Sequence, residues 1–132
     1  MPIEFNNLTV SHLNETRKWT LFFSILGFIF MGLCLIIVPI ILITSKISNS
    51  SFPTWATTLP LIFLSLIYFF PVYYLFKFSV HSKKAIDTSD SHCLEVSFKF
   101  LKLHYRFMGI FTIAIIILYI ILGVVFVLRS AL

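Results

Sequence analysis

The sequence predicts an all-α integral membrane fold: three transmembrane helices, with a cytoplasmic amphipathic helix preceding the third and continuous with it. Three observations carry that prediction. Hydrophobic residues make up 59% of the 132-residue chain and charged residues only 11%, with a mean hydropathy of +1.02, whereas a soluble domain averages about 25% charged residues. The apolar residues are gathered into three long runs without an internal charge. Most of the basic residues flank those runs on one side. A helical bundle can satisfy its backbone polar groups in lipid, whereas a β-barrel would need alternating apolar and polar residues that these runs lack. The net charge of +5 is therefore read as a topology signal and not as a nucleic-acid surface.

A single helical membrane domain covering 1–132 is expected, with spans at about 20–44, 57–80 and 106–128. The first apolar run extends from Leu21 to Ile43, long enough to cross a hydrocarbon core of about 30 Å at 1.5 Å per residue. Trp19 at its start fits an interfacial anchor, and no cleavage pattern follows, so the run is expected to persist as a signal anchor. Pro39 inside it removes one backbone hydrogen bond and predicts a kink. Ser45 to Thr54 reads as a loop.

The second run goes from about Thr57 to Phe76. Trp55 is expected at the interface and Pro60 in the first turn of the helix, where proline is tolerated. Pro71 falls mid-span among aromatic residues and predicts a second kink. A polar turn, Asp87 to Ser91, follows, with Asp90 or Ser91 as the N-cap of the next helix.

Residues of about 90–105 then predict the amphipathic helix. Leu94, Phe98, Leu101, Tyr105 and Met108 recur at helical spacing, and Glu95, Lys99, Lys102 and Arg106 recur on another face, with Glu95 and Lys99 set as an i,i+4 pair. The third apolar run, Phe107 to Leu128, continues directly. The joined helix, roughly 55 Å long, exceeds the bilayer, so its amphipathic part either projects into the cytoplasm or lies on the membrane.

Orientation follows from charge. Arg17 and Lys18 precede the first run, and Lys77, Lys83, Lys84, Lys99, Lys102 and Arg106 lie between the second and third, against Lys46 and Arg129 opposite. That bias places the N-terminus in the cytoplasm and the C-terminus across the membrane.

Three stretches carry a family resemblance: His12 to Trp19, Tyr68 to Phe78, and Glu95 to Ile110. Through them the chain resembles a family of small bacterial inner-membrane proteins, a domain of unknown function. The resemblance implies a multi-pass protein of the bacterial inner (cytoplasmic) membrane, and it brings no catalytic residues with it.

No residue pattern nominates a reaction. The three runs contain no ionisable acid or base of the kind a pump or ion-coupled transporter needs. Their Ser24, Cys34, Ser65, Tyr68, Tyr73, Tyr74, Thr112 and Tyr119 are of the type that bonds a backbone carbonyl or a neighbouring helix. His12, His81, His92 and His104 all fall on the cytoplasmic side, with His92 beside Cys93, but without the close ligand pairs of a zinc site. No catalytic residue, metal or cofactor is therefore expected. Cys34 and Cys93 are expected at different membrane levels and unpaired.

The surface expected to meet a partner or lipid headgroups comprises Lys83, Lys84, Phe98, Lys99, Leu101, Lys102, Tyr105 and Arg106. The function expected from these features is a non-enzymatic accessory or interaction subunit of a larger membrane protein complex. Its partners would be membrane lipids and that complex, with no nucleic acid and with self-association left open. The alternative is a self-assembling pore or membrane-perturbing protein. An integral membrane enzyme acting on lipid is a third reading, which would draw its acid or base from His92, His104 or Glu95.

Overall fold

Helix α1 (Asn7–Ile47), α2 (Thr54–Thr88) and α3 (Ser91–Ala131) make up the chain, with no strand among the described residues. The structure is a computed structural model that describes residues 6–47 and 53–131. All three helices are long and apolar enough to cross a membrane. Each also outruns its apolar stretch: α3, with 41 residues, is about 60 Å long, twice the thickness of a hydrocarbon core.

The extra length is held by packing. α1 starts at Asn7, well before the predicted start near residue 20, because Val10 and Leu13 come together with Ala85, Ile86 and Leu94 at the α2–α3 junction. α2 likewise continues to Thr88. The loop predicted from Ser45 is occupied as far as Ile47 by α1, and its residues 48–52 lie outside the described residues.

One prediction is corrected at the start of α2. Pro60 was expected in the first turn, yet the helix begins at Thr54 and Pro60 lies inside it, in the second turn. Pro53 takes the terminal position instead, with an extended backbone (φ −66°, ψ 126°) and a carbonyl that accepts the Ala56 N–H at 3.0 Å. Proline at 60 then leaves the Ala56 carbonyl without its usual helical donor. Helices α1 and α2 run without interruption through Pro39 and Pro71.

The α2–α3 reversal takes two residues. Ser89 adopts the left-handed conformation (φ 52°, ψ 34°), and the N–H groups of Ser89 and Asp90 both donate to the Ala85 carbonyl, which closes the C-terminus of α2. The Asp90 carboxylate accepts the His92 N–H at 2.9 Å, so Asp90 and not Ser91 is the N-cap of α3.

Helix α2 packs on both α1 and α3, whereas the backbones of α1 and α3 do not approach each other among the described residues. The three form an open layer with α2 in the middle. Phe28 meets Phe69 and Phe76 on one side, and Phe107, Phe100 and Phe98 meet Phe70, Tyr74 and Phe78 on the other. A side-chain hydrogen bond reinforces each interface. Ser79 Oγ donates to the Arg17 carbonyl of α1 at 2.9 Å, and His104 Nδ1 of α3 donates to the Pro71 carbonyl of α2 at 2.8 Å.

Buried residues are divided between the apolar runs and the ends beyond them. Ser24, Met31, Val38, Thr58, Pro71 and Val72 are buried within the first two runs, and Phe78, Ser79, Ser82, Ala85, Cys93 and Ser97 are buried beyond Phe76 or before Phe107. In contrast, residues 116–131 of α3 are exposed throughout. Small side chains at Ser79, Ser82 and Ser97 let the helix backbones approach.

Ser82 is fully buried and its hydroxyl has no hydrogen-bond partner among the described residues, a state that costs about 1–3 kcal/mol in desolvation. Ser82→Ala is therefore expected to stabilise the protein by roughly 1 kcal/mol, whereas Ser79→Ala, which deletes the tie to Arg17, should destabilise it by a similar amount. Thermal unfolding of the two variants in one detergent checks the opposite signs.

Candidate functional site

Because α1 and α3 stand apart on either side of α2, a groove of about 660 Å³ opens between them. Its floor is Tyr68, Pro71, Val72 and Leu75 of α2. One wall runs along α1 from Thr16 to Phe30, and the other is His104, Tyr105 and Met108 of α3. The lining is mainly apolar, and its polar groups fall at two levels: Thr16, Trp19 and Thr20 near the Arg17–Ser79 contact, and Tyr68, His104 and Tyr105 deeper, around the Gly27–Val72 approach.

The polar groups differ in what they have left to offer. Thr16 and Thr20 donate their hydroxyls to the carbonyls of His12 (2.9 Å) and Arg17 (2.8 Å). A carbonyl only accepts, so the Nδ1 that meets the Pro71 carbonyl at 2.8 Å carries the proton, leaving Nε2 of the neutral ring as an acceptor. Trp19, Tyr68 and Tyr105 make no side-chain hydrogen bond within the described residues. Trp19 packs against Phe22 and Phe23, and Tyr105 against the edge of His104.

The floor is shaped by one close approach. A Cβ placed on Gly27 would lie 2.7 Å from Val72 Cγ2, whereas the other three glycines face open space. Gly27 thus sets the distance between α1 and α2 beneath the groove.

The eight residues expected to contact a partner or headgroups do not share one surface. Lys99, Lys102 and Arg106 are exposed on one face of α3, and Lys83 and Lys84 are exposed on α2. Phe98 is 44% exposed but its ring lies 6.3 Å from that of Phe78. Leu101 is half-buried. Tyr105 belongs to the groove wall, with Met108, and Leu94 faces Val10 and Leu13 of α1. The apolar stripe therefore looks partly across the gap towards α1 of the same chain. The face that α3 turns to α2 is a third one, Cys93, Ser97, Phe100 and His104, and sequence reasoning missed it. Its signal was the i,i+4 spacing of small residues at Cys93 and Ser97 opposite Ser79 and Ser82. No ion pair joins Glu95 to Lys99 among the described residues.

Among the histidines, His104 lines the groove, while the His81 ring lies 5.3 Å from Phe100 and its Nδ1 bonds the Lys77 carbonyl. No group of three or more His, Cys, Asp or Glu residues is placed to hold a metal among the described residues. Cys93, adjacent to His92, instead pairs with Asp90. The thiol hydrogen bond to the Asp90 carboxylate, followed by the His92 N–H, holds the carboxyl below its ordinary range, and the same contact, followed by burial, pushes the thiol up.

A depressed carboxyl stabilises the fold above its unfolded-state pKa, and this contribution is lost as the pH falls through the folded value. Amide exchange in the first turn of α3 is thus expected to accelerate only in the acid range below the usual carboxylate pKa. Asp90→Asn keeps the cap and removes the charge. It is expected to speed alkylation of Cys93 at pH 8 while leaving helix content unchanged, and rate measurements with iodoacetamide check this. Neither a family model, nor a curated protein, nor a solved structure matches this chain.

Proposed function

We propose that this chain is a multi-pass protein of the bacterial inner membrane, N-terminus cytoplasmic, acting as a non-enzymatic accessory or interaction subunit of a larger membrane protein complex. The observation that carries the reading is the third helix, whose apolar residues 116–131 are exposed throughout. An open three-helix layer with one unpartnered span is a natural edge for assembly, since helix association in lipid depends on close packing with a second helix. Charge bias supports the orientation. The ends of α1, α2 and α3 beyond the apolar runs then form a short cytoplasmic stalk, with Lys83, Lys84, Lys99, Lys102 and Arg106 on its exterior.

The hydroxyls within the apolar runs weigh against a pore. Ser24, Ser65 and Thr112 each donate to a carbonyl four residues earlier in their own helix, so they are spent locally and line no shared path. An enzyme acting on lipid finds no support beyond His104, which is tied to α2.

Extraction in a mild detergent followed by native mass analysis tests the proposal. A reproducible complex with a larger membrane protein is expected, and a lone monomer under every mild condition overturns it. Orientation has its own test: a phosphatase reporter active only across the inner membrane, fused after Leu132, is expected to be active. Activity of a cytoplasm-dependent reporter at that position would reverse the assignment.

A further inference from the structure

We infer that the outer face of α3 docks a transmembrane helix of another protein, one that carries a carboxylate within about two turns of the cytoplasmic end of its apolar stretch and pairs it with Lys102 and Arg106. The inference deepens the accessory reading, on which it rests, by giving the partner a chemistry.

The three apolar runs are not seated level with one another. Across the α1–α2 interface, Gly27 approaches Val72 and the Phe28 ring meets that of Phe69. Across the α2–α3 interface, the Phe100 ring meets Tyr74, His104 meets the Pro71 carbonyl and the Phe107 ring meets Phe70. The run of α3 therefore starts level with Phe28 of α1 and Phe70 of α2, whereas the runs of those two helices already begin at Leu21 and end at Phe76 on this side. Lys102 falls between the Phe100 and His104 contacts, and Arg106 between those of His104 and Phe107. In this register Lys102 lies about 5 Å, and Arg106 about 8 Å, inside the level at which α1 and α2 become apolar. The sequence hides this depth, because both residues precede the apolar run of their own helix.

Cations at such a depth call for a compensating anion. The chain's five acidic residues all lie before residue 96, and the last of them, Glu95, is seven residues from Lys102, about 10 Å along the helix. Lys102 and Arg106 make no ion pair or side-chain hydrogen bond among the described residues, and both are exposed. They share one side of α3 with Lys99, Gly109 and Ile113, spaced three or four residues apart and exposed as well. At 100° per residue this side is opposite the Ser97, Phe100 and His104 face that α2 covers.

Charge and depth together select the occupant. A second copy using the same face, inserted with the same orientation, would set Lys102 and Arg106 against their own counterparts. A lipid phosphate belongs to the headgroup layer, whereas a carboxylate on a neighbouring helix is fixed at depth by its place in the sequence. A helix that pairs there also continues along residues 116–131 of α3, which are exposed throughout.

A photoreactive phenylalanine placed at residue 113 and activated in intact membranes tests the inference. One apolar peptide of another protein is expected in the crosslink, with Asp or Glu within about two turns of its cytoplasmic end. Lys102→Gln combined with Arg106→Gln is expected to lower the crosslink yield about tenfold. Lys83→Gln combined with Lys84→Gln, on the exposed end of α2, leaves it unchanged. Lys102→Glu combined with Arg106→Glu abolishes the crosslink, and exchanging the mapped carboxylate for lysine restores it. A reporter fused after Leu132 shows that each variant is inserted as the parent is, and if the double Gln variant is not, Arg106→Gln alone takes its place.

Unchanged yield in a correctly inserted variant overturns the inference. So does a crosslink to lipid alone or to a second copy, or a mapped helix without a carboxylate at that level. A larger complex in native mass analysis with no protein crosslinked from residue 113 overturns this docking face alone, whereas a lone monomer overturns the accessory reading.

Discussion

Phe78→Ala is expected to cost about 3–5 kcal/mol of folding free energy, the range for emptying a well-packed aromatic site. Phe126→Ala is expected to change it by less than about 0.5 kcal/mol, as for exposed sites. Composition alone would rank the pair the other way, since Phe126 lies inside an apolar run and Phe78 lies two residues past the end of one. Phe78 is 1% exposed and Phe126 is 75% exposed. Phe78 meets Phe98 and lies next to Ser79, which bonds the Arg17 carbonyl, so its loss opens a cavity where all three helices are held together. Reversible unfolding of both variants in mixed micelles measures the difference. Equal costs would remove Phe78 from the packed core.

Gly27→Leu carries the second large effect. The substitution is expected to destabilise the α1–α2 pair by about 2–3 kcal/mol, in the range for overpacking, and to widen the groove floor. The Cβ itself meets Val72 Cγ2 at 2.7 Å, and Val72 is buried with its branched side chain unable to swing clear. The compensating change Val72→Ala removes the obstructing methyls, so Gly27→Leu combined with Val72→Ala is expected to recover part of the loss. A Gly32→Leu control, at a position facing open space, is expected to be near neutral. Additivity of the Gly27 and Val72 changes would show that they do not touch.

The contrast between these sites explains which features the sequence disclosed. The three long apolar helices were legible because hydropathy is summed over twenty residues and no local detail can hide it. The N-cap at Asp90 was legible because its signal is a single side chain at a fixed position. The helical stretch from Asn7 to Lys18 was not, since its apolar residues are few and Val10 and Leu13 find their apolar surroundings only at the α2–α3 junction, where they line a cavity with Ala85, Ile86 and Leu94. The face of α3 that packs on α2 was missed for a related reason. Cys93, Ser97 and His104 are less apolar than Leu94, Phe98 and Tyr105, and a reading by hydrophobicity favours the second set. Closely packed helices select by shape, so the small residues are the ones turned inward. The groove was illegible from sequence because it depends on a contact that does not form, between α1 and α3.

The same missing contact governs how the molecule can be made. Every interface joins helices adjacent along the chain, so no segment has to wait for a distant one before it docks. A nascent chain that has emerged only as far as Thr88 already contains both partners of the first interface, including Gly27 with Val72 and Ser79 with Arg17. Assembly can therefore proceed in the order of synthesis, one hairpin and then one added edge, with the low loop-closure entropy that favours rapid folding.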